Sequence, residues 1–269
     1  MIESQTIGYD IIGDVHGQAD RLEGLLGEMG YAQTRGVYEH PSRTAVFVGD
    51  LIDRGPQQKR TVEVVRAMVD QGGAHIVMGN HEFNAIAWHH GWREDSEKNR
   101  RGHQVFLDQI PDIAERDAIT QWFLKIPMWL ELRGLRIIHA CWDPPSMETF
   151  GDNPILTLEL VKQFSDAGSP VHDAIEVLIK GPEDKDSEPQ IVKGYERSAR
   201  IEWWLQYHDE SPVIFGHYWG ELAQRINTDH RSNALCVDYS THDGDGPLAA
   251  YRWDGEAKLD PQKIVIFTS

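Results

Sequence analysis

Aspartate, asparagine and histidine recur in this chain in a spacing that suits the binding of divalent cations. Three short segments hold most of them: Gly13-Asp14-Val15-His16-Gly17, Gly49-Asp50-Leu51-Ile52-Asp53-Arg54-Gly55 and Gly79-Asn80-His81-Glu82. Each follows a run of strand-forming residues, so each sets its polar side chains where a strand ends and a loop begins. His139 and His217 stand in the same setting, after Leu135-Arg136-Ile137-Ile138 and Pro212-Val213-Ile214-Phe215. One histidine after a strand is more often structural. Six donors in a repeated context point to one centre built around two metals.

Such a centre would suit cleavage of phosphate esters. That reaction requires a nucleophile, neutralisation of the phosphoryl oxygens, a proton for the leaving group, and orientation. Two divalent metal ions about 3.5–4 Å apart supply the first two. Asp14 and His16, two residues apart, are expected to chelate one ion. Asp50 is expected to bridge both, and Asn80, His139 and His217 to complete the shell of the second ion. Mixed carboxylate, imidazole and amide donors suit borderline metals. Manganese is the first expectation, with iron, zinc, nickel and cobalt as alternatives.

His81 is the expected proton donor to the leaving group. Asp53 is expected to hold its imidazole. Arg54 can grip phosphoryl oxygens in bidentate fashion, and Asn80 is expected to touch the substrate as well. Glu82 reads as a capping or packing residue. Weaker candidates are Trp142 and Asp143 as pocket lining, Cys141 as a soft ligand, Arg197 or Arg200 as a second phosphate grip, and Asp238-Tyr239-Ser240. His89, His90, His103, His172, His208, His230 and His242 have no ligand-like setting and are expected at the surface.

The elements that must position these groups follow from periodicity. Tyr9 to Ile12, Thr44 to Val48 and Ala74 to Met78 read as short buried strands. Helices are expected over Ala19–Met29, Arg60–Val69 and Glu82–Trp88. Gly30 stops the first of them. Trp92 to Gln104 is polar and reads as a solvated loop or lid, and Ala114–Leu124 as a helix. Residues 144–200 are expected to form a helical insertion or cap, with helices near Leu156–Phe164 and Asp173–Ile179 and a charged loop from Gly181 to Pro189. Late strands are expected over Ala234–Tyr239, Leu248–Trp253 and Lys263–Thr268. Strand–loop–helix alternation argues for an α/β sheet, and ligands bind beyond the carboxyl ends of strands in such sheets.

Composition bounds the rest. A chain of 269 residues fits one large α/β domain spanning 1–269. No apolar run reaches the length of a membrane span, and the first ten residues lack a signal core. The expected setting is cytoplasmic, away from the membrane. Two cysteines, Cys141 and Cys236, are expected to be reduced core residues. With 43 acidic against 26 basic residues the net charge is −17, which argues against stable nucleic-acid binding. Bound cations would reverse that field locally for a small phosphorylated substrate, such as a nucleotide. Nothing in the sequence fixes the oligomeric state.

The segments GDVHG, GDLIDRG and GNHE, with a later His after a strand and a further Gly-His, resemble the calcineurin-like metallophosphoesterases. The DRG and GNHE forms resemble the phosphoprotein-phosphatase branch. The opening Tyr9-Asp10-Ile11-Ile12-Gly13-Asp14-Val15-His16-Gly17-Gln18 resembles its small bacterial diadenosine-tetraphosphatase and RNA-repair-phosphatase members. The resemblance implies an α/β fold, a four-layered β-sandwich flanked by helices. It implies one ion on Asp14, His16 and Asp50 and a second on Asp50, Asn80, His139 and His217. It also implies Arg54 on phosphate and His81 with Asp53 as the acid pair. The expected activity is that of a dinuclear-metal-dependent phosphoesterase. A symmetrical dinucleoside tetraphosphate hydrolase and a Ser/Thr phosphoprotein phosphatase are the alternatives, and a non-enzymatic binding module is the least supported. Eukaryotic-type phosphatases of the branch carry Ser-Ala-Pro-Asn-Tyr-Cys near the C-terminus. Here the matching region reads Asp238-Tyr239-Ser240-Thr241-His242-Asp243-Gly244, which weighs against protein-phosphatase activity.

Overall fold

A computed structural model of the chain describes residues 8–184, 186–188, 190–192, 195–197, 199–219, 223, 233–241 and 246–268. Two mixed sheets form its centre. The first has the strand order Ile264–Phe267, Leu248–Trp253, Gly8–Ile12, Arg43–Phe47, Ala74–Ile76. The second has the order Ala234–Cys236, Val213–Phe215, Leu135–Ile138, Trp129–Leu132. Each sheet contains three adjacent parallel strands, with antiparallel strands outside them. The strands of each trio therefore end along one edge, and Asp14, Asp50 and Asn80 follow one trio while His139, His217 and Asp238 follow the other.

Side-chain alternation explains why two sheets stack rather than one lying open. Successive residues of a strand face opposite sides. Tyr9, Ile11, Val46, Val48 and Val77 of the first sheet join Leu135, Ile137, Ile214, Leu235 and Val237 of the second in one buried cluster. Their neighbours Ile12, Ala45, Phe47, Ile76, Ile138, Val213 and Phe215 belong to a second cluster, with helical Leu22, Leu26, Val65 and Phe83. Both faces of each sheet are thus apolar, one meeting the other sheet and one meeting helices. The Ala19–Glu28 and Gln58–Asp70 helices lie on the first sheet's outer side. Trp203 and Trp204 cover Phe215 of the second. This is the expected four-layered sandwich.

Several boundaries differ from the expected ones. Ser96 caps a helix over Glu97–Gln109, its side chain accepting from Asn99 N, where a solvated loop or lid was expected. That helix buries only His103 and Phe106, so its polar composition hid a narrow inward stripe. Trp129–Leu132 is an additional strand, joined to Leu135–Ile138 by Arg133 and Gly134 at φ 51° and 87°. Two positive φ values in a two-residue turn match the right-handed twist of a hairpin. The helix carrying His81 starts at Asn80, two residues earlier than expected, and the late strand stops at Cys236.

Within 144–200 the helices are Pro144–Met147, Leu158–Phe164 and Pro170–Lys180. Their Met147, Val161, Ile175, Leu178 and Ile179 belong to the same buried cluster as Leu22 and Phe47. Glu183–Asp184 pairs antiparallel with Ala199–Arg200, which brings Arg200 back towards the strand ends. Cys141 and Cys236 are buried, as expected of core residues. Among the described residues no helix is long and apolar enough to cross a membrane.

Candidate metal centre

The loops that carry the donors are held in backbone conformations that L-residues seldom adopt. His16, Asp50, Asp53, Arg54 and His217 have φ between 47° and 69°. Each costs of order 1–3 kcal/mol and persists only where its surroundings enforce it. The enforcement is visible. Val15 N and His16 N both donate to Asp50 O, at 3.1 and 2.9 Å, and Gly17 N donates to Leu51 O at 2.7 Å. Glu82 is fully buried, and its two carboxylate oxygens accept from Asp50 N at 2.7 Å and Leu51 N at 2.8 Å. It therefore packs and caps, as its sequence position suggested. Burial first, then the Asp50 charge, raises its pKa to about 7.

The donors meet in two groups that share one carboxylate: His16, Asp50 and His81, and Asp50, His139 and His217. Asp50 turns Oδ2 towards His16 Nε2 at 3.6 Å and Oδ1 towards His139 Nε2 at 3.5 Å. Asn80 Oδ1 lies 3.1 Å from the same His139 nitrogen. The far side of each ring fixes what these nitrogens are. His16 Nδ1 donates to Ile52 O at 3.0 Å, and His139 Nδ1 donates to Val48 O at 2.7 Å. A carbonyl oxygen only accepts, so both Nδ1 atoms carry a proton, which leaves each Nε2 to present a lone pair when its ring is neutral. Burial pushes the pKa of His139 down. Burial, then Arg200 and His139, pushes that of His217 well down, keeping both rings neutral.

Lone pairs, an amide oxygen and a carboxylate thus face one another in a buried space. Neutral imidazole held by a carbonyl on its other nitrogen is the usual state of a metal-bound histidine. The donor set fits divalent cations.

Asp14 lies outside both groups of three. His217 N donates to its oxygens at 3.4 and 3.3 Å, and Asp238 is the charge that acts on it most strongly. Burial, then Asp238 and Asp50, raise the Asp14 pKa well above the carboxylate range, while burial raises that of Asp238 to about 6. Asp14, Asp50 and Asp238 are each 2% exposed. Three buried carboxylates in one locality call for positive charge. Asp238 was a weak candidate because Ala234 to Tyr239 reads as one strand. It is the residue that follows the third parallel strand of the second sheet, a position equivalent to those of His139 and His217.

Asp53 and His81 meet as expected, with Nδ1 and Oδ2 2.6 Å apart. Burial opposes charge on His81, yet Asp50 and Asp53 together raise its pKa. Burial likewise opposes charge on Asp53, and hydrogen bonds from His103 and His81 overcome it, bringing its pKa to about 2. Arg54 is exposed beside this pair, and its charge lowers the pKa of Asp14 and Asp238. His103, expected at the surface, is 1% exposed with Nδ1 2.7 Å from Asp53 Oδ1.

The remaining candidates separate clearly. Arg200 reaches His217 Nε2 at 3.3 Å, while the side chain of Arg197 lies outside the described residues. Asp143 caps the Pro144–Met147 helix through Ser146. Arg136 stacks over Trp142 at 4.9 Å. Cys141 is in neither donor group, and burial raises its pKa well above the usual thiol value. His89 pairs with Asp117 and His172 with Phe164 O, away from the donors. His230 and His242 lie outside the described residues.

Two stacked sheets between helices, with histidine, aspartate and asparagine gathered at the strand ends, define a metallophosphoesterase fold. Residues 9–218 match the family described as Calcineurin-like phosphoesterase, and the chain belongs to that family of hydrolases. Bis(5'-nucleosyl)-tetraphosphatase PrpE [asymmetrical] of Oceanobacillus iheyensis is 26% identical over 225 residues, which is 77% of this chain and 76% of that protein. The Bacillus subtilis protein of the same name is 23% identical over 234 residues, 86% of this chain and 87% of that one. The crystal structure of a cold-active protein-tyrosine phosphatase from a psychrophilic Shewanella superposes with a TM-score of 0.57 at 17% identity, covering 96% of this chain and 80% of that one. At that identity the superposition speaks for the fold alone.

Proposed function

We propose that this phosphoesterase works with two divalent cations, manganese first among them, on small phosphorylated compounds of the cytoplasm. The observation that carries the reading is Asp50, whose two oxygens are divided between His16 and His139. His16 with Asp50 would hold one ion, with Asp14 and Asp238 close by to balance charge. Asp50, Asn80, His139 and His217 would hold the other. When bound, such ions lower the pKa of water and neutralise phosphoryl oxygens. The chain's own groups do the rest. Arg54 grips the phosphoryl oxygens from the exposed side, and Arg200 does so from the His217 side. His81, held through Nδ1 by Asp53, presents Nε2 to the leaving oxygen and hands it a proton. Glu82 holds the Asp50 amide in the orientation that the shared carboxylate requires.

His81→Ala should therefore act according to the leaving group. Turnover of an alkyl phosphate should fall roughly 10²–10⁴-fold, the usual worth of a positioned acid. Turnover of p-nitrophenyl phosphate should fall far less, because its phenolate departs without a proton. Equal losses on the two esters would remove His81 from that role.

A second reading, a bis(5'-nucleosyl)-tetraphosphate hydrolase, is favoured by the names of the relatives. The deciding experiment is a panel with protein reconstituted in manganese: p-nitrophenyl phosphate, bis-p-nitrophenyl phosphate, diadenosine tetraphosphate, a nucleotide 2′,3′-cyclic phosphate and a phosphopeptide. Preference for the tetraphosphate establishes the second reading. Its products then tell asymmetric cleavage (ATP and AMP) from symmetric cleavage (two ADP). No turnover of any member with metal bound would sink both readings.

A further inference from the structure

We propose that His103 is a positioning residue for proton transfer, the third member of a His81–Asp53–His103 array. The proposal rests on the phosphoesterase reading above. Asp53, 1% exposed, gives one oxygen to each imidazole: Oδ2 to His81 Nδ1 at 2.6 Å and Oδ1 to His103 Nδ1 at 2.7 Å. The terminal torsion of an aspartate is broad, so a single hydrogen bond leaves the carboxylate free to swing. A second bond on the other oxygen fixes its plane, and with it the ring of His81.

His103 is itself immobilised. Its ring stacks on Phe106 at 4.8 Å and lies beside Trp88 at 6.0 Å. The Glu97–Gln109 helix that carries it grips the same loop a second time. Gln109 Oε1 accepts from Gln58 N at 2.8 Å, and Gln109 Nε2 donates to Pro56 O at 2.6 Å. Gln58 Oε1 in turn accepts from Asp53 N at 2.5 Å. The helix therefore fixes Asp53 at its side chain through His103 and at its main chain through Gln58. Asp53 needs both, because its φ is 68°. His103 is in neither group of candidate metal donors, so it acts through Asp53.

The test compares His103→Ala, His103→Asn and His103→Gln in manganese-reconstituted protein. Asparagine places an N–H close to the Nδ1 position, whereas glutamine places it near Nε2. With glycerol 2-phosphate, the alanine and glutamine variants should lose about 10–100-fold in kcat, the usual worth of a group that orients a site residue. Their KM should stay near that of the unaltered protein. The asparagine variant should recover most of the loss, and p-nitrophenyl phosphate should barely register any of the three. Equal losses on both esters, or an asparagine variant no better than the glutamine one, would overturn the array.

A second readout does not depend on turnover. In metal-free protein labelled with ¹⁵N-histidine, the His81 Nδ1–H resonance, assigned with His81→Ala, should move on His103→Gln and return on His103→Asn. An unmoved resonance overturns the proposal even if the kinetics change. If the unaltered protein hydrolyses neither ester nor any other member of the substrate panel, the phosphoesterase reading falls, and the resonance still decides the array.

Discussion

Asp50→Asn should lower metal stoichiometry from two ions to one or none, and turnover with it. The direction follows from which atom becomes the amide nitrogen. Oδ1 of Asp50 accepts from His81 N at 3.0 Å, so the asparagine will keep its oxygen there. Its NH2 group then falls on the Oδ2 side and donates to the lone pair of His16 Nε2, 3.6 Å away in the unaltered chain. The His16 group is lost as a metal site first, while Asn80, His139 and His217 keep a neutral oxygen between them. A bound cation is worth several kcal/mol of transition-state charge stabilisation, which corresponds to a loss of roughly 10³-fold or more. Stability should move the other way. The Asp50 charge raises the pKa of both Asp14 and Glu82, so removing it relieves repulsion in the metal-free protein. Elemental analysis after dialysis, steady-state kinetics and urea titration without metal read the three effects. Two ions retained with near-normal turnover would refute the shared role of Asp50.

Gly79→Ala should be strongly destabilising, through a single added methyl. Gly79 has φ −89°, a conformation open to alanine, so the cost is purely one of space. A Cβ there would collide with Asp50 N and Asp50 Oδ1 and stand 2.6 Å from Glu82 Oε2. The first of these is backbone and cannot swing aside. The clash also falls on the hydrogen bonds by which Glu82 holds the left-handed Asp50. Overpacking of this kind costs about 1–3 kcal/mol, or several degrees in Tm for a chain of this size. Gly27→Ala is the control. Gly27 lies in the Ala19–Glu28 helix with nothing within 4 Å of its added Cβ, and alanine should stabilise it by about 1 kcal/mol. Urea midpoints for the two variants should move in opposite directions. A Gly79→Ala protein as stable as the unaltered chain would show that the loop has slack that its geometry does not suggest.

What the sequence revealed and what it hid have a common physical cause. Asp14, Asp50, Asn80, His139 and His217 were legible because each follows an apolar run directly, and strand ends are where an α/β sheet gathers ligands. Glu82 was legible as a capping residue from its place beside Asn80 and His81. His103 was hidden because its partner is 50 residues away, and because its helix shows only two buried side chains amid charged ones. Asp238 stood only among the weaker candidates, and the strand before it read three residues too long, to Tyr239 rather than Cys236, which placed its carboxylate inside the strand. The choice between an open sheet and a sandwich was not local either. Both trios of parallel strands have the rhythm of an open sheet. Only the pairing of one trio's inward residues with those of the other makes two layers, and the run of late strands was the one hint of it.

The two halves of the donor set come from different sheets, and that has mechanical meaning. Asp50 and His16 belong to one slab, His139 and His217 to the other, and the slabs meet through apolar contact together with the hydrogen bonds of His139 to Val48 O and of His217 N to Asp14. Ions shared across that seam would act as rivets against sliding. Sliding by one residue would part the ligands as well as the packing, so the alignment that makes the centre competent is also the one that cations would reward.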